Sequence, residues 1–215
     1  IIRDNSIFNI CTYLRVIMIE FKNPSQETPY LVFKEKYDES LRAGQKNIEA
    51  ICISSYSMKD KEVRARFVNL KFISEQKFIF FSNYKSPKSE DFLSHKQITG
   101  LIYWHNIDTQ IRMKAHIQKT DKNFNMDYFA KRDKRKNALA ISSKQSIPID
   151  SYESVEKNHK KCLEDKNLDV CPNYWGGYSF TPYYFEFWQG HKSRLNKREV
   201  YELKHDKWIH YFLQP

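Results

Sequence analysis

Tyr183-Tyr184-Phe185-Glu186-Phe187-Trp188-Gln189-Gly190, followed within four residues by Arg194-Leu195-Asn196-Lys197-Arg198, is the stretch on which the reading of this chain turns. Residues 183–188 are aromatic and uninterrupted by Gly or Pro, which is the character of a β-strand. Side chains of an extended segment alternate, so positions 194, 196 and 198 are expected on one side, setting two guanidiniums and an amide beside Trp188. Guanidiniums are forked donors suited to anionic or carbonyl-rich planar ligands, and they also stack on rings. By residue chemistry alone the block reads equally well as a C-terminal strand pair with solvated charges.

Working upstream, the spacing of apolar residues sets the architecture. Residues 30–43 read as an amphipathic helix with Phe33, Tyr37 and Leu41 near one face and Gly44 as its stop. The period then shortens: Ile48–Ser54, Arg64–Phe72, Lys77–Ser82, Ile98–His105 and Gln110–Lys119 are β-rich runs separated by polar connections. Helices are expected at Ser86–His95, Asn123–Arg135 and Ser151–Leu163, and strands again at 178–188, 197–203 and 207–213. The economical fold is mainly β with flanking helices, an antiparallel barrel forming a single domain over residues 30–215. Residues 1–29 are expected to be a partly disordered N-terminal extension.

Composition narrows the partners. A chain of 215 residues with 40% hydrophobic and 15% aromatic residues folds around a sizeable core. The net charge of +10 points to an anionic partner. Basic residues are spread along the chain, with one dense run at Lys131–Lys136, and no nucleic-acid motif accompanies them, so phosphorylated small molecules fit as well. The four cysteines have no CxxC spacing and the seven histidines no HExxH pair, which argues against a zinc site or a disulfide framework. Apolar runs are too short for a membrane span, and the first residues lack a basic start and a cleavage site, so the expectation is a cytoplasmic protein with Met18 as a candidate translation start.

The opening block resembles the C-terminal signature of the pyridoxine (pyridoxamine) 5′-phosphate oxidase family, Phe-Trp-Gln-Gly followed by Arg-Leu-His-Asp-Arg. The resemblance extends over roughly residues 30–215, with several motifs in the family's order, and implies an FMN-binding split β-barrel that works as a homodimer. In Arg66-Phe67-Val68-Asn69-Leu70-Lys71 it implies an FMN-binding strand, with Arg66 at the FMN phosphate and Lys71 beside the flavin ring and the substrate. Phe81, Ser82 and Lys88 match further cofactor positions around a helix start, a sound phosphate site, although Pro87 stands where the family has an arginine. Gln110, Gln145, Ser146, Trp188 and Arg198 also match FMN contacts. Tyr128, Arg132 and Lys136, at i, i+4 and i+8 on an expected helix face, match the substrate-phosphate positions, with Lys136 replacing a serine. Arg194 and Asn196 match substrate contacts and, with Lys71, are the catalytic candidates. Asn196 replaces a histidine, which removes a group that titrates near neutral pH. Trp175-Gly176-Gly177 matches a family Trp-Gly-Gly and reads as a structural turn.

The activity so implied is oxidation of pyridoxine or pyridoxamine 5′-phosphate to pyridoxal 5′-phosphate, by hydride transfer to FMN and reoxidation by O2 with release of H2O2. The departures at Pro87, Lys136 and Asn196 keep open an FMN-binding paralogue with another substrate, such as a flavin reductase or tailoring oxidase. A flavin- or pyridoxal-phosphate-binding protein without turnover is a further class. A nucleic-acid-binding barrel is the class that the net charge alone would suggest.

Overall fold

A computed structural model, which describes residues 18–165 and 167–215, turns the alternating runs into a closed ring of strands. The elements in order are β1 (Glu20–Pro24), α1 (Thr28–Arg42), β2 (Ala50–Ser57), β3 (Glu62–Glu75), β4 (Lys77–Asn83), α2 (Pro87–Ser94), β5 (Gln97–Trp104), β6 (Thr109–Lys119), α3 (Lys122–Lys131), α4 (Lys134–Ser142), α5 (Tyr152–Asp165), β7 (Trp175–Gln189), β8 (Lys197–Lys204) and β9 (Lys207–Leu213). Antiparallel pairing runs β3-β2-β5-β6-β7-β4 and back to β3. Closure leaves no free edge in the ring itself. β8 and β9 continue the sheet outward from β7, and β1 lies parallel to the end of β3. The sequence reading assigned no strand to residues 20–24, a run too short and too polar to carry a period-two signal.

Inward positions of every ring strand meet in one aromatic and aliphatic core. Ile51 and Ile53, Leu70, Phe78 and Phe80, Ile111 and Met113, and Phe180 and Phe185 are all fully buried there. α1 lays Tyr30, Phe33 and Tyr37 into this core, with Phe33 edge-on to Phe78 at 5.0 Å and Phe78 stacked on Phe180 at 5.2 Å. Leu41, expected on that face, is instead part-exposed, and the helix ends at Gly44 in the left-handed region (φ 70°).

Two expectations need correction. The helix expected over Asn123–Arg135 divides: Arg132 is extended (ψ 155°), and α4 restarts with Asp133 as its cap. The Asp133 carboxylate accepts the Arg135 and Lys136 backbone N–H groups at 3.0 and 3.2 Å, a local competitor that breaks the run. Trp175-Gly176-Gly177 is no turn but the start of β7, pairing with Asn83, Ser82 and Phe81 of β4. Glycine is needed there for close approach. The Gly177 N–H donates to Asn125 Oδ1 at 2.8 Å, and a Cβ on Gly176 would run into the Tyr84 hydroxyl.

Candidate active site

β3, β4, α2 and the α3–α4 pair enclose a cleft of about 870 Å³. Arg66, Phe67, Val68, Asn69 and Lys71 line one wall, and Leu70, expected among them, points into the core instead. β4 adds Phe81 and Ser82, the first turn of α2 adds Pro87 and Lys88, and the loop after α4 adds Gln145 and Ser146 at the rim. Tyr128, Arg132 and Lys136 close the opposite side. The volume lies within the range of small-molecule and cofactor sites.

One pole of the cleft is built around Arg66 and Lys88. The Arg66 guanidinium donates to Ser55 Oγ at 2.7 Å and to the Ile53 carbonyl at 3.2 Å, and lies 3.6 Å from Asp91 Oδ2. Asp91, itself buried on α2, also accepts from the Ser55 hydroxyl at 2.8 Å. Lys88 is 7% exposed, and its ammonium donates to Ser86 Oγ at 3.0 Å. Burial, with Arg66 close by, pushes the Lys88 pKa down to about 8. Burial likewise lowers Arg66, although Asp91 partly offsets it. A buried ammonium against a guanidinium at a helix start is a site made for an anion.

A second cationic pole holds Lys71, Arg132 and Lys136. The helix break, and not a shared helix face, brings Arg132 and Lys136 to it. The Arg132 guanidinium donates to the Lys136 carbonyl at 2.8 Å and to Asn137 Oδ1 at 3.1 Å. It also lies 5.2 Å over the Trp175 ring. Trp175 stacks on Phe81 at 5.1 Å and Phe81 on Tyr128 at 4.0 Å, so an aromatic wall carries this arginine. Burial lowers the Lys71 pKa; Glu49 opposes, while Lys136 and Arg132 add to the lowering. Burial raises the Tyr128 phenol, a shift reduced by Arg132. Among the described residues no histidine lines the cleft, and the carboxylates that do are Glu20, paired with Lys22 at 3.3 Å, and the cap residue Asp133.

The C-terminal candidates do not line this cleft. Gln110, Trp188 and Arg198 are cross-strand neighbours on β6, β7 and β8, outside the ring. Between them Glu186, 2% exposed, holds Arg198 by its Nε at 2.9 Å and its Nη2 at 2.8 Å, and pairs with Arg112 on the other side. Its second oxygen accepts the Tyr184 hydroxyl at 3.0 Å. Burial alone would raise the Glu186 carboxyl, but these hydrogen bonds hold it below the ordinary range. Arg194 and Asn196 correct the expectation of an extended 194–198. They lie in the β7–β8 loop, with Arg194 at φ 60° and Asn196 Oδ1 accepting the His191 N–H at 3.1 Å. Sequence reasoning took Trp175 only as part of a structural turn, and passed over Asp91 and Glu186. Only Glu186 had a visible signal, as the one charge inside an aromatic strand.

Among the described residues no group of His, Cys, Asp and Glu could hold a metal ion, and no helix is long and apolar enough to cross a membrane. Residues 175–215 match the pyridoxine 5′-phosphate oxidase C-terminal dimerisation region. The chain is 34% identical over 179 residues to the pyridoxine/pyridoxamine 5′-phosphate oxidase 1 of Hydrogenovibrio crunogenus, covering 82% of each sequence. Its fold is similar to PhzG of Burkholderia lata, solved in complex with tetrahydrophenazine-1-carboxylic acid (TM-score 0.81, 22% identity, 87% of this chain and 92% of that one). It is also similar to a pyridoxamine 5′-phosphate oxidase-related, FMN-binding protein of Nostoc punctiforme (TM-score 0.72, 11% identity, 88% and 100% covered).

Proposed function

The chain belongs to the pyridoxine/pyridoxamine 5′-phosphate oxidase family of FMN-dependent oxidoreductases, and from that premise we propose that it oxidises pyridoxine or pyridoxamine 5′-phosphate to pyridoxal 5′-phosphate. The observation that carries the reading is the pair of separate cationic poles in one cleft, Arg66 with Lys88 and Lys71 with Arg132 and Lys136. Two phosphorylated molecules lying side by side need two such poles.

FMN fits the first pole. Arg66, Lys88, Ser82, Gln145 and Ser146 would hold its phosphate, and the strand from Phe67 to Lys71 would line the place of its ring. The buried ammonium of Lys88 gains from a dianion what burial took from it. Bound FMN supplies the hydride acceptor and the reaction with O2. The substrate phosphate takes the second pole, held by Tyr128, Arg132 and Lys136 and oriented by the fixed Arg132 fork. The cleft offers positioning in place of a general base, since its two carboxylates are engaged in a cap and an ion pair. Gln110, Trp188, Arg194, Asn196 and Arg198 come to the flavin and substrate from the second copy of a homodimer, in keeping with the dimerisation region at 175–215.

The test is anaerobic addition of pyridoxine 5′-phosphate to FMN-loaded protein, followed in the visible flavin band. Bleaching that air reverses is the expected result. An unchanged band on protein that holds FMN would transfer the reading to a paralogue with another substrate. Asn196 favours that second reading, because its side-chain oxygen is already engaged by the loop.

A further inference from the structure

Glu186 is a buried carboxylate that the reading above does not use. It sits at the middle of three adjacent strands and binds an arginine from each neighbour, Arg112 of β6 and Arg198 of β8. Its Oε1 accepts a hydrogen bond from Nε of Arg198 at 2.9 Å and lies 2.8 Å from Nη2, an ion pair along one edge of that guanidinium. The remaining nitrogen, Nη1, donates to the Gln214 carbonyl at 3.1 Å. The rest of the surroundings supplies no second anchor on β7, because Trp188, the cross-strand partner of Arg198, offers a ring and an indole N–H but no acceptor for a guanidinium. Arg112 meets the same carboxylate through its Nη2, and its Nε is buried without a partner. The two guanidiniums and one carboxylate leave one net positive charge on the face that also carries Gln110 and Trp188.

Resting on the FMN reading, we propose that Glu186 is a positioning residue that orients Arg198, and with it the cationic face of β6–β8, toward the flavin. A structural role and a Coulomb role make different forecasts from this one. Glu186→Gln keeps the shape of the side chain and makes the face more positive by one charge. Charge alone would then tighten binding of the anionic cofactor. Loss of orientation weakens it, because Arg198 is no longer held by an ionised acceptor.

The experiment is FMN titration of the full-length protein stripped of flavin, wild type against Glu186→Gln, with circular dichroism as the check on fold. The expected result is a dissociation constant raised roughly tenfold or more, the size of one charge-assisted hydrogen bond, together with a shifted visible band of the bound flavin. Equal or tighter binding in Glu186→Gln overturns the proposal. Should that variant lose its fold, Glu186→Asp, which keeps the charge and shortens the reach by one methylene, carries the test with the same two outcomes. Combined with Arg198→Lys, Glu186→Gln is expected to add little further loss, whereas fully additive losses would show that it does not act through Arg198. A wild type that fails to bind FMN would sink the cofactor reading itself and this proposal with it.

Discussion

Raising the pH from about 7 to about 9 is expected to weaken FMN binding about tenfold through a single side chain, Lys88. In the free protein this ammonium is buried, and burial with Arg66 nearby brings its pKa to about 8. It is then about nine-tenths protonated at the lower pH and about one-tenth at the higher. A phosphate monoester ionises for the second time near pH 6, so the ligand is a dianion throughout. The dianion favours the charged lysine and raises its pKa in the complex, so binding at the higher pH must take up a proton. That uptake costs about 1.4 kcal/mol, one factor of ten. The assay is calorimetric titration with FMN at both pH values in two buffers of different ionisation enthalpy, which also counts the proton. Lys88→Met should bind more weakly at the lower pH and lose most of the pH dependence. A wild-type affinity that changes less than about twofold, or a Lys88→Met variant with the same slope, would refute the reasoning. The same shift makes the free protein more stable as the pH rises from about 8 towards the ordinary lysine value of 10.5, because the unfolded chain binds more protons in that window.

Arg194 has a positive φ of 60°, so Arg194→Gly removes the guanidinium without straining the loop. Reduction of bound flavin by substrate should slow while FMN stays bound in a binding titration, and loss of FMN together with activity would put Arg194 at the cofactor instead. Phe78→Ala empties the centre of the ring, where the side chain is 0% exposed between Phe33 and Phe180. Denaturant unfolding should show a loss of about 3–5 kcal/mol, and a loss below about 1 kcal/mol would mean that the interior is not packed as described.

β2, β5 and β6 were legible because their side chains alternate between the core and an outer face, whereas β4 and the aromatic run of β7, buried along most of their length, were legible as apolar runs between polar connections. In two of the places where the reading failed, a single side chain had overruled a periodic signal. Asp133 offers its carboxylate to two backbone N–H groups and ends a helix that composition would have continued. Asn196 ties the β7–β8 loop to the His191 N–H and prevents an extended path into β8. The cationic residues of the cleft were legible from their matched motifs, but their anchors were not. Asp91 lies 25 residues from Arg66 in sequence, 91 minus 66, and no spacing rule connects a carboxylate on α2 with a guanidinium on β3. The division of the candidates between the cleft and the outer face of β6–β8 was equally invisible, since alternation tells which side of a strand a residue takes but not what faces that side.

The way the ring closes also bears on how the chain must be made. β4 is bonded to β3 through a tight connection, but its other edge waits for β7, where Phe78 meets Phe180 about a hundred residues later. During synthesis five of the six ring strands emerge with two open edges, one on β4 and one on β6. β7 occupies both edges at once, pairing with β6 and β4 along its fifteen residues. A ribosome-stalled chain ending before residue 175 should therefore be the aggregation-prone species, and completing β7 the step that makes the nascent barrel safe.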